Sequence, residues 1–487
     1  MKSAVKDLSL GMTPMSVLGL GLVTGMMLVW LPSKLLPFLL GAGVLFAITV
    51  HTMLNPAVLV SFVMLTSATA SILTTAFESV EAGGMSLSVS GLGWIFIAII
   101  AVFILSFNAQ RTLLPKVFLP FLLFCGWAML RWLIAFHGST GLKDILFYSL
   151  PPLLGLYTMF ALSLSGDRLI AQVESMFFFV IIIPAILCAI LLPLGLMNND
   201  RDSLALLHPR AVSLYLLIPL SFSLARWRYG RDSRSKYIGC LTSLVALLTI
   251  LVTLSRMASA TALMLFFVAW INPTKLYRTL PVACAAPVLA VLLLVQIPSY
   301  RERYFFSEEK AALTSNSWQD MNSAGRFDYM WPATFNHAIQ NPIIGWGTGS
   351  AAVLVAGFMP KPKSANYMPH NEYLNVFHDL GVIGEILLLA AWFPLWWRQW
   401  QTWKIAHLRK NAVQAKWSMA ATMSIGALLF TSLTDNGLHY AFVGGPLFII
   451  VAIAIWMSDF RARNLTRDGR VGTEVSTPQV RLRSGIA

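Results

Sequence analysis

Charge is what this sequence has least of. Only 11% of its 487 residues are Asp, Glu, Lys or Arg, less than half of the roughly 25% found in soluble domains. A water-soluble globular chain is excluded on that ground. Cysteine is scarce too: Cys125, Cys188, Cys240 and Cys284 lie far apart, in or beside apolar stretches, without a CxxC pair. That excludes a disulfide framework and a cysteine zinc site. The net charge of +14 does not mark a nucleic-acid partner, because the basic residues sit in short loops between apolar runs and form no stripe.

Apolar residues make up 57% of the chain, in long runs such as Val180–Leu196, Leu241–Leu254 and Leu280–Ile297. Runs near 20 residues match a hydrocarbon core of about 30 Å at 1.5 Å per helical residue. The fold expected is an all-α polytopic membrane protein of about 12–14 transmembrane helices. Spans are predicted at 13–31, 35–53, 56–76, 88–107, 114–136, 145–165 and 171–196, then at 210–226, 237–254, 258–272, 279–298, 381–400, 417–433 and 441–458. Lys2 and Lys6 before the first run, with no small-residue cleavage site after it, read as a retained signal anchor.

Charge then orients the chain. Arg111 and Lys116, Arg168, the Arg226–Lys236 cluster, Lys275 and Arg278, the Arg398–Lys416 group and the arginines after Phe460 all fall on one side. Loops on the other side hold Glu78, Glu81, Asp144, Asp200 and Asp435. The positive-inside rule puts both termini in the cytoplasm of an inner membrane and the 299–380 segment outside. The organisation expected is a transmembrane hairpin (1–55), a transmembrane core (56–298), an outer, periplasmic loop (299–380), C-terminal helices (381–458) and a disordered basic tail (459–487).

An outward loop of roughly 80 residues is usually functional. Phe327, Trp331, Phe335 and Ile339 recur at helical spacing, predicting an amphipathic helix over 323–341 kinked at Pro332, with Arg326 and His337 on one side. The glycines of Asn341-Pro342-Ile343-Ile344-Gly345-Trp346-Gly347-Thr348-Gly349 lack the strand–helix setting of a dinucleotide fingerprint. They suit a turn that lets backbone approach a ligand. Met368-Pro369-His370-Asn371-Glu372 opens a helix, so His370 and Asn371 stand where unpaired N–H groups and the positive dipole end gather. Asn371 could also simply cap that helix. A histidine is a natural base near neutral pH. Arg201, Arg210, Arg256, Arg301, Arg303 and Arg326 collect on a face otherwise poor in basic residues, as an anionic substrate would require. His208, Asp435, Asn436 and His439 lie there as well.

The order Ser255-Arg256, Gly325-Arg326 with Trp331, Asn341-Pro342 to Gly345-Trp346-Gly347, His370-Asn371 and Gly381-Val382-Ile383-Gly384 resembles the O-antigen ligase and polysaccharide polymerase superfamily. The resemblance covers about residues 200–390. It implies a helical glycosyltransferase of the lipid-sugar-using class, working without cofactor, nucleotide sugar or metal. The donor would be a polyprenyl-diphosphate-linked glycan, and the acceptor another such glycan (polymerase of O-antigen or exopolysaccharide repeats) or lipid A core (ligase). Other polysaccharide-assembly proteins are conceivable partners beside the membrane lipids. His370 would activate the acceptor hydroxyl, and Arg256 and Arg326 would neutralise the departing diphosphate. Asn371, Arg210, Arg201, Gly345, Gly347, Trp331 and His337 would bind substrate. Arg210 stands where the family pattern has an asparagine after His208-Pro209, which puts that region's role in doubt. A carrier for lipid-linked sugars would instead need charges at the membrane midplane, for which Arg131 and Glu174 are the candidates. A sensor or scaffold leaves the outward arginines unexplained.

Overall fold

The computed structural model describes residues 55–76, 80–82, 85–87, 89–108, 115–191, 209–275, 330–358 and 368–459, with a few isolated positions besides. The spans expected at 13–31 and 35–53, nearly all of 279–298, the loop from 299 to 329 and the C-terminal tail lie outside the described residues. The chain falls into two units, 1–59 and 60–487. At the end of the first, the Asn55 side chain accepts a hydrogen bond from the Ala57 amide (3.2 Å) where helix α1 (Ala57–Ala76) begins.

Among its described residues the second unit is helical apart from one small hairpin, β1 (Val80–Ala82) against β2 (Met85–Leu87), antiparallel with Val80 opposite Leu87. Then follow α2 (Val89–Phe107), α3 (Leu119–Ile134), α4 (Gly138–Leu191), α5 (Pro209–Tyr229), α6 (Ser233–Val252) and α7 (Arg256–Val268). After them come α8 (Trp331–Ala338), α9 (Ser350–Phe358), α10 (Glu372–Leu408), α11 (Ala412–Thr431) and α12 (Ala441–Asp459). Among the described residues, five helices are long and apolar enough to cross a membrane: Lys116–Ile134, Gly138–Leu191, Ser233–Val252, Glu372–Leu408 and Ala441–Asp459. The protein is an all-α polytopic membrane protein.

Two of these helices are broken by glycine. In α4 the backbone of Gly166 (φ 47°, ψ −125°) leaves helical values, separating the two spans expected at 145–165 and 171–196. In α10 the break is Gly381 (φ 67°, ψ −168°), so the span expected to start at 381 is preceded by a further helical segment from Glu372. At 13 residues α7 rises only about 20 Å, short of a full crossing.

Burial shows what each helix faces. Every residue of α12 from Ala441 to Met457 is buried, making it the axis of the unit. Around it, Phe121 of α3 meets Trp392 of α10 and Phe448 of α12 edge-on, at 5.1 and 5.3 Å between ring centroids. The Phe177 ring of α4 stacks on Phe222 of α5 at 4.1 Å, and Trp417 of α11 packs on Phe222 at 4.9 Å. The opposite side of α3 leaves Leu119, Leu122, Leu123, Leu130, Leu133 and Ile134 exposed, the inside-out pattern of a helix that meets lipid.

The unit has a basic end. Tyr229, at the end of α5, bonds His407 near the end of α10 (2.9 Å), and Trp403 donates to the Tyr229 hydroxyl (3.0 Å). Arg228 donates to the carbonyls of Ala269 and Ile271 just past α7. Arg398 pairs with Asp459, and Lys416 with Glu174. The starts of α7 and α10 and the end of α11 therefore lie at the other end.

At that other end the break in α10 is closed by the glycine-rich turn. A broken helix exposes peptide groups that lipid cannot satisfy, and here each finds protein. His378 O and Asp379 O accept from the amides of Trp346 (3.0 Å) and Gly347 (2.8 Å), and Leu380 O accepts from the Trp127 indole (3.1 Å). Beyond the break, Val382 N donates to Pro342 O (2.8 Å) and Ile383 N to Ile343 O (3.3 Å). Arg131 donates to Gly345 O at 2.8 Å and the Thr348 hydroxyl to Ala128 O at 2.6 Å, fastening the turn to α3. A Cβ on Gly381 would stand 2.3 Å from Ile343 O, and one on Gly345 2.5 Å from the Asp379 carbonyl.

This clasp predicts a contrast between two glycines of similar φ. Gly166→Ala meets open space and should cost only backbone strain, about 1 kcal/mol. Gly381→Ala adds a backbone collision and should cost more than about 2 kcal/mol. Denaturant unfolding in detergent reads both, and equal losses would remove the clasp from the account.

Candidate active site

The site gathers on the first turn of α10. Asn371 caps that helix, its Oδ1 accepting from Leu374 N at 3.0 Å. The amide of Glu372 donates to Ser432 O (2.9 Å) and that of Asn375 to Asn371 O (2.9 Å). The free N–H groups expected at this terminus are thus largely taken, and the terminus is no open anion cradle. His370 stands just before the cap with a left-handed backbone (φ 52°), turned away from the helix. Its side chain is 27% exposed, and Nδ1 lies 3.9 Å from Oδ1 of Asp435, a carboxylate buried in the turn after α11. Pro369 O accepts from the Trp331 indole at 2.7 Å, so Trp331 holds the backbone that carries His370.

Directly beneath is a buried ionic bridge. Glu372, 0% exposed, accepts from the Tyr148 hydroxyl (3.2 Å) and bonds His439 Nδ1 (3.0 Å). The other ring nitrogen of His439 faces Asp144 at 3.3 Å. A neutral imidazole has one N–H, yet here both nitrogens face carboxylates, so the ring is held as the imidazolium. Burial alone would lower the His439 pKa, but Glu372 and Asp144 hold it up at about 10.

A second polar chain lies on the other side of the same segment. Asp379 accepts from the amides of Gly349 (2.7 Å) and Ala351 (2.7 Å) and from the Ser350 hydroxyl (2.8 Å), capping α9 from a neighbouring helix. Its carboxylate also fixes the proton of His378 on Nδ1 (3.0 Å). With that proton on Nδ1, Nε2 of His378 accepts from His337 Nδ1 at 2.9 Å. Burial and the nearby His378 push the His337 pKa below the ordinary imidazole value. The His337 ring rests on Trp346, 4.3 Å between centroids.

Several sequence expectations change. The helix expected over 323–341 is described from Trp331, and Pro332 sits in its first turn. Residues 323–329, on which the expected kink at Pro332 depends, lie outside the described residues. What approaches the backbone of Gly345 and Gly347 is not a ligand but protein: Asp379 and Leu380 for the first, Ala135 for the second. His337 and Asn371 each commit one polar atom to the protein. Arg131 and Glu174, the candidate transport charges, have partners in the clasp and at the basic end.

Arg256 is the first residue of α7, whose far end is held at the basic end by Arg228. It therefore lies at the same end of the bundle as His370. Arg210 is the second residue of α5; Arg201 and Arg326 lie outside the described residues. Sequence reading passed over Glu372, Tyr148, His378 and Asp379 as functional groups. Only Glu372 carried a signal, as an acid adjoining His370-Asn371. Among the described residues no cluster of His, Cys, Asp and Glu is arranged to hold a metal ion.

The fold and this polar cluster define a polytopic membrane protein with ionisable side chains gathered at one end of its helices. Residues 241–389 match the family model described as O-antigen ligase. The matched stretch runs from α6 past the break in α10, taking in Arg256, the glycine-rich turn and His370. No curated protein matches the chain.

The bridge has a pH signature. With a folded-state pKa above the ordinary 6.5, protonated His439 contributes its full stability below about 6.5 and loses it as pH rises through about 10. The gap in melting temperature between wild type and His439→Gln should be wide at neutral pH and shrink as pH approaches 10. A gap constant across that range would mean that the ring is not charged.

Proposed function

We propose that this protein transfers a glycan from a polyprenyl diphosphate carrier to an acceptor hydroxyl at the periplasmic face of the inner membrane, as a polymerase of O-antigen or exopolysaccharide repeats. The observation that carries this reading is His370, partly exposed and turned out of a capped helix, with Asp435 behind it, inside the stretch that matches the O-antigen ligase family. Sidedness follows from charge, with the basic end in the cytoplasm.

In this reading His370 takes the proton from the acceptor hydroxyl as that oxygen attacks the anomeric carbon. The bond from that carbon to the diphosphate breaks, and the lipid diphosphate leaves with the bonding pair. Asp435 steadies the imidazolium formed, at an ion-pair distance that a bound acceptor can shorten. Arg256 and Arg326 meet the negative charge that grows on the leaving group, which preorganised guanidinium groups stabilise well. The partners found for Arg131 and Glu174 argue against a carrier, because neither charge is free to follow a substrate.

Purified protein given a polyprenyl-diphosphate oligosaccharide alone should lengthen it. His370→Ala should abolish transfer, and Arg256→Ala should slow it by about 10²–10³. Product that forms only when lipid A core is added would make the protein a ligase with the same site. Movement of the lipid-linked glycan across a bilayer without transfer would replace the enzyme by a carrier.

A further inference from the structure

The buried bridge beneath His370 is larger than a helix start requires. Asn371 already caps α10, and the Glu372 amide already has Ser432 O. Yet Glu372 also draws together the Tyr148 hydroxyl from α4 and His439 from the turn before α12, while His439 reaches on to Asp144 of α4. Asn375, one turn along α10, donates to the same Tyr148 oxygen at 3.3 Å. Three elements are thus tied to the residue two places after His370. Two acidic side chains, Glu372 and Asp144, thus flank the one imidazole of His439. All members of the bridge are at most 6% exposed, and burial of that depth leaves a charge little screened.

We infer that Glu372 is a positioning residue for glycan transfer: anchored by Tyr148 and His439, it fixes the turn that presents His370 and supplies a buried anion that keeps His370 able to accept a proton. This rests on reading His370 as the base. The anion matters because a positive charge forms on His370 during the reaction, and a nearby fixed negative charge favours that form. The carboxylate in contact with His370 is Asp435, on the turn after α11, at 3.9 Å; Glu372 follows His370 by two residues, at the start of α10. Behind Glu372 stand His439, Tyr148 and Asp144. Trp331, which holds Pro369, carries no charge.

Glu372→Gln separates this role from simple packing. It keeps the shape and the hydrogen-bond acceptor for Tyr148 and leaves His439 with Asp144, so the fold should survive with a melting temperature lowered less than in His439→Gln. The full-length variant in detergent, assayed with the lipid-linked donor, should lose about tenfold in kcat with KM changed less than twofold. The acid limb of its pH–rate profile should move to lower pH, since removing an anion makes His370 a weaker base. Glu372→Asp restores the charge on a shorter arm; its acid limb should return to the wild-type position although kcat stays reduced. Wild-type kcat and an unmoved limb in Glu372→Gln would overturn the inference. So would a Glu372→Asp limb displaced as far as that of Glu372→Gln. If Glu372→Gln proves too unstable to assay, the Glu372→Asp limb alone decides. Full activity in His370→Ala would instead overturn the assignment of the base, whatever the Glu372 variants do.

Discussion

A helix that is interrupted inside a membrane must have its opened peptide groups answered by protein, and the break at Gly381 imposes that condition on everything around it. The freed carbonyls of residues 378–380 and the amides of residues 382 and 383 take the turn 341–347 and Trp127 as partners. That turn can lie so close only because Gly345 and Gly381 lack a Cβ. Once seated, it carries Trp346 to the His337 ring and Gly349 to the Asp379 carboxylate. Helices α8 and α9 are thereby fixed to the segment of α10 that precedes the break, and His370 stands two residues before that segment begins. The candidate base is held in place from below by a backbone discontinuity some ten residues down its own helix.

Much of the fold was legible because the signal was local. Apolar runs long enough to cross a bilayer marked the helices from α1 to α6 and α10 to α12, with ends displaced by a few residues. Basic loops marked the end at which Arg228, Lys416 and Arg398 now find their partners. The site was legible only where residues adjacent in sequence are also adjacent in space: His370 and Asn371 do stand at a helix start. Where partners are remote, the pattern had nothing to offer. Glu372 meets His439, 67 residues later, and Tyr148, 224 residues earlier; no periodicity links them. The glycines were read correctly as places of close approach, but sequence cannot say what approaches.

The polar groups of the site divide by burial, and the division has consequences for chemistry on an anion. Asp144, Glu372, Asp379 and Asp435 are all buried, at 0–3% exposure, and each is occupied with an imidazole or with the amides and hydroxyl at the start of α9. Four carboxylates open to solvent at this mouth would repel a diphosphate. Sequestered and partnered, they act on histidines instead. His370 has Asp435, His439 has Glu372 and Asp144, and His378 has Asp379.

In the proposed reaction the diphosphate falls to arginine. A helix N-terminus is a ready anion site when its amides are free, and α10 begins where one was expected. Asn371 and Ser432 O have claimed the Leu374 and Glu372 amides, and a buried acid occupies the first turn. An anionic group placed against that turn would meet Glu372 before it met an unpaired N–H. The helix start therefore serves the base rather than the phosphate. Charge for the leaving group must come from elsewhere at the same end of the bundle, where Arg256 opens α7. In the proposed reaction, taking a proton and releasing an anion thus fall to different elements.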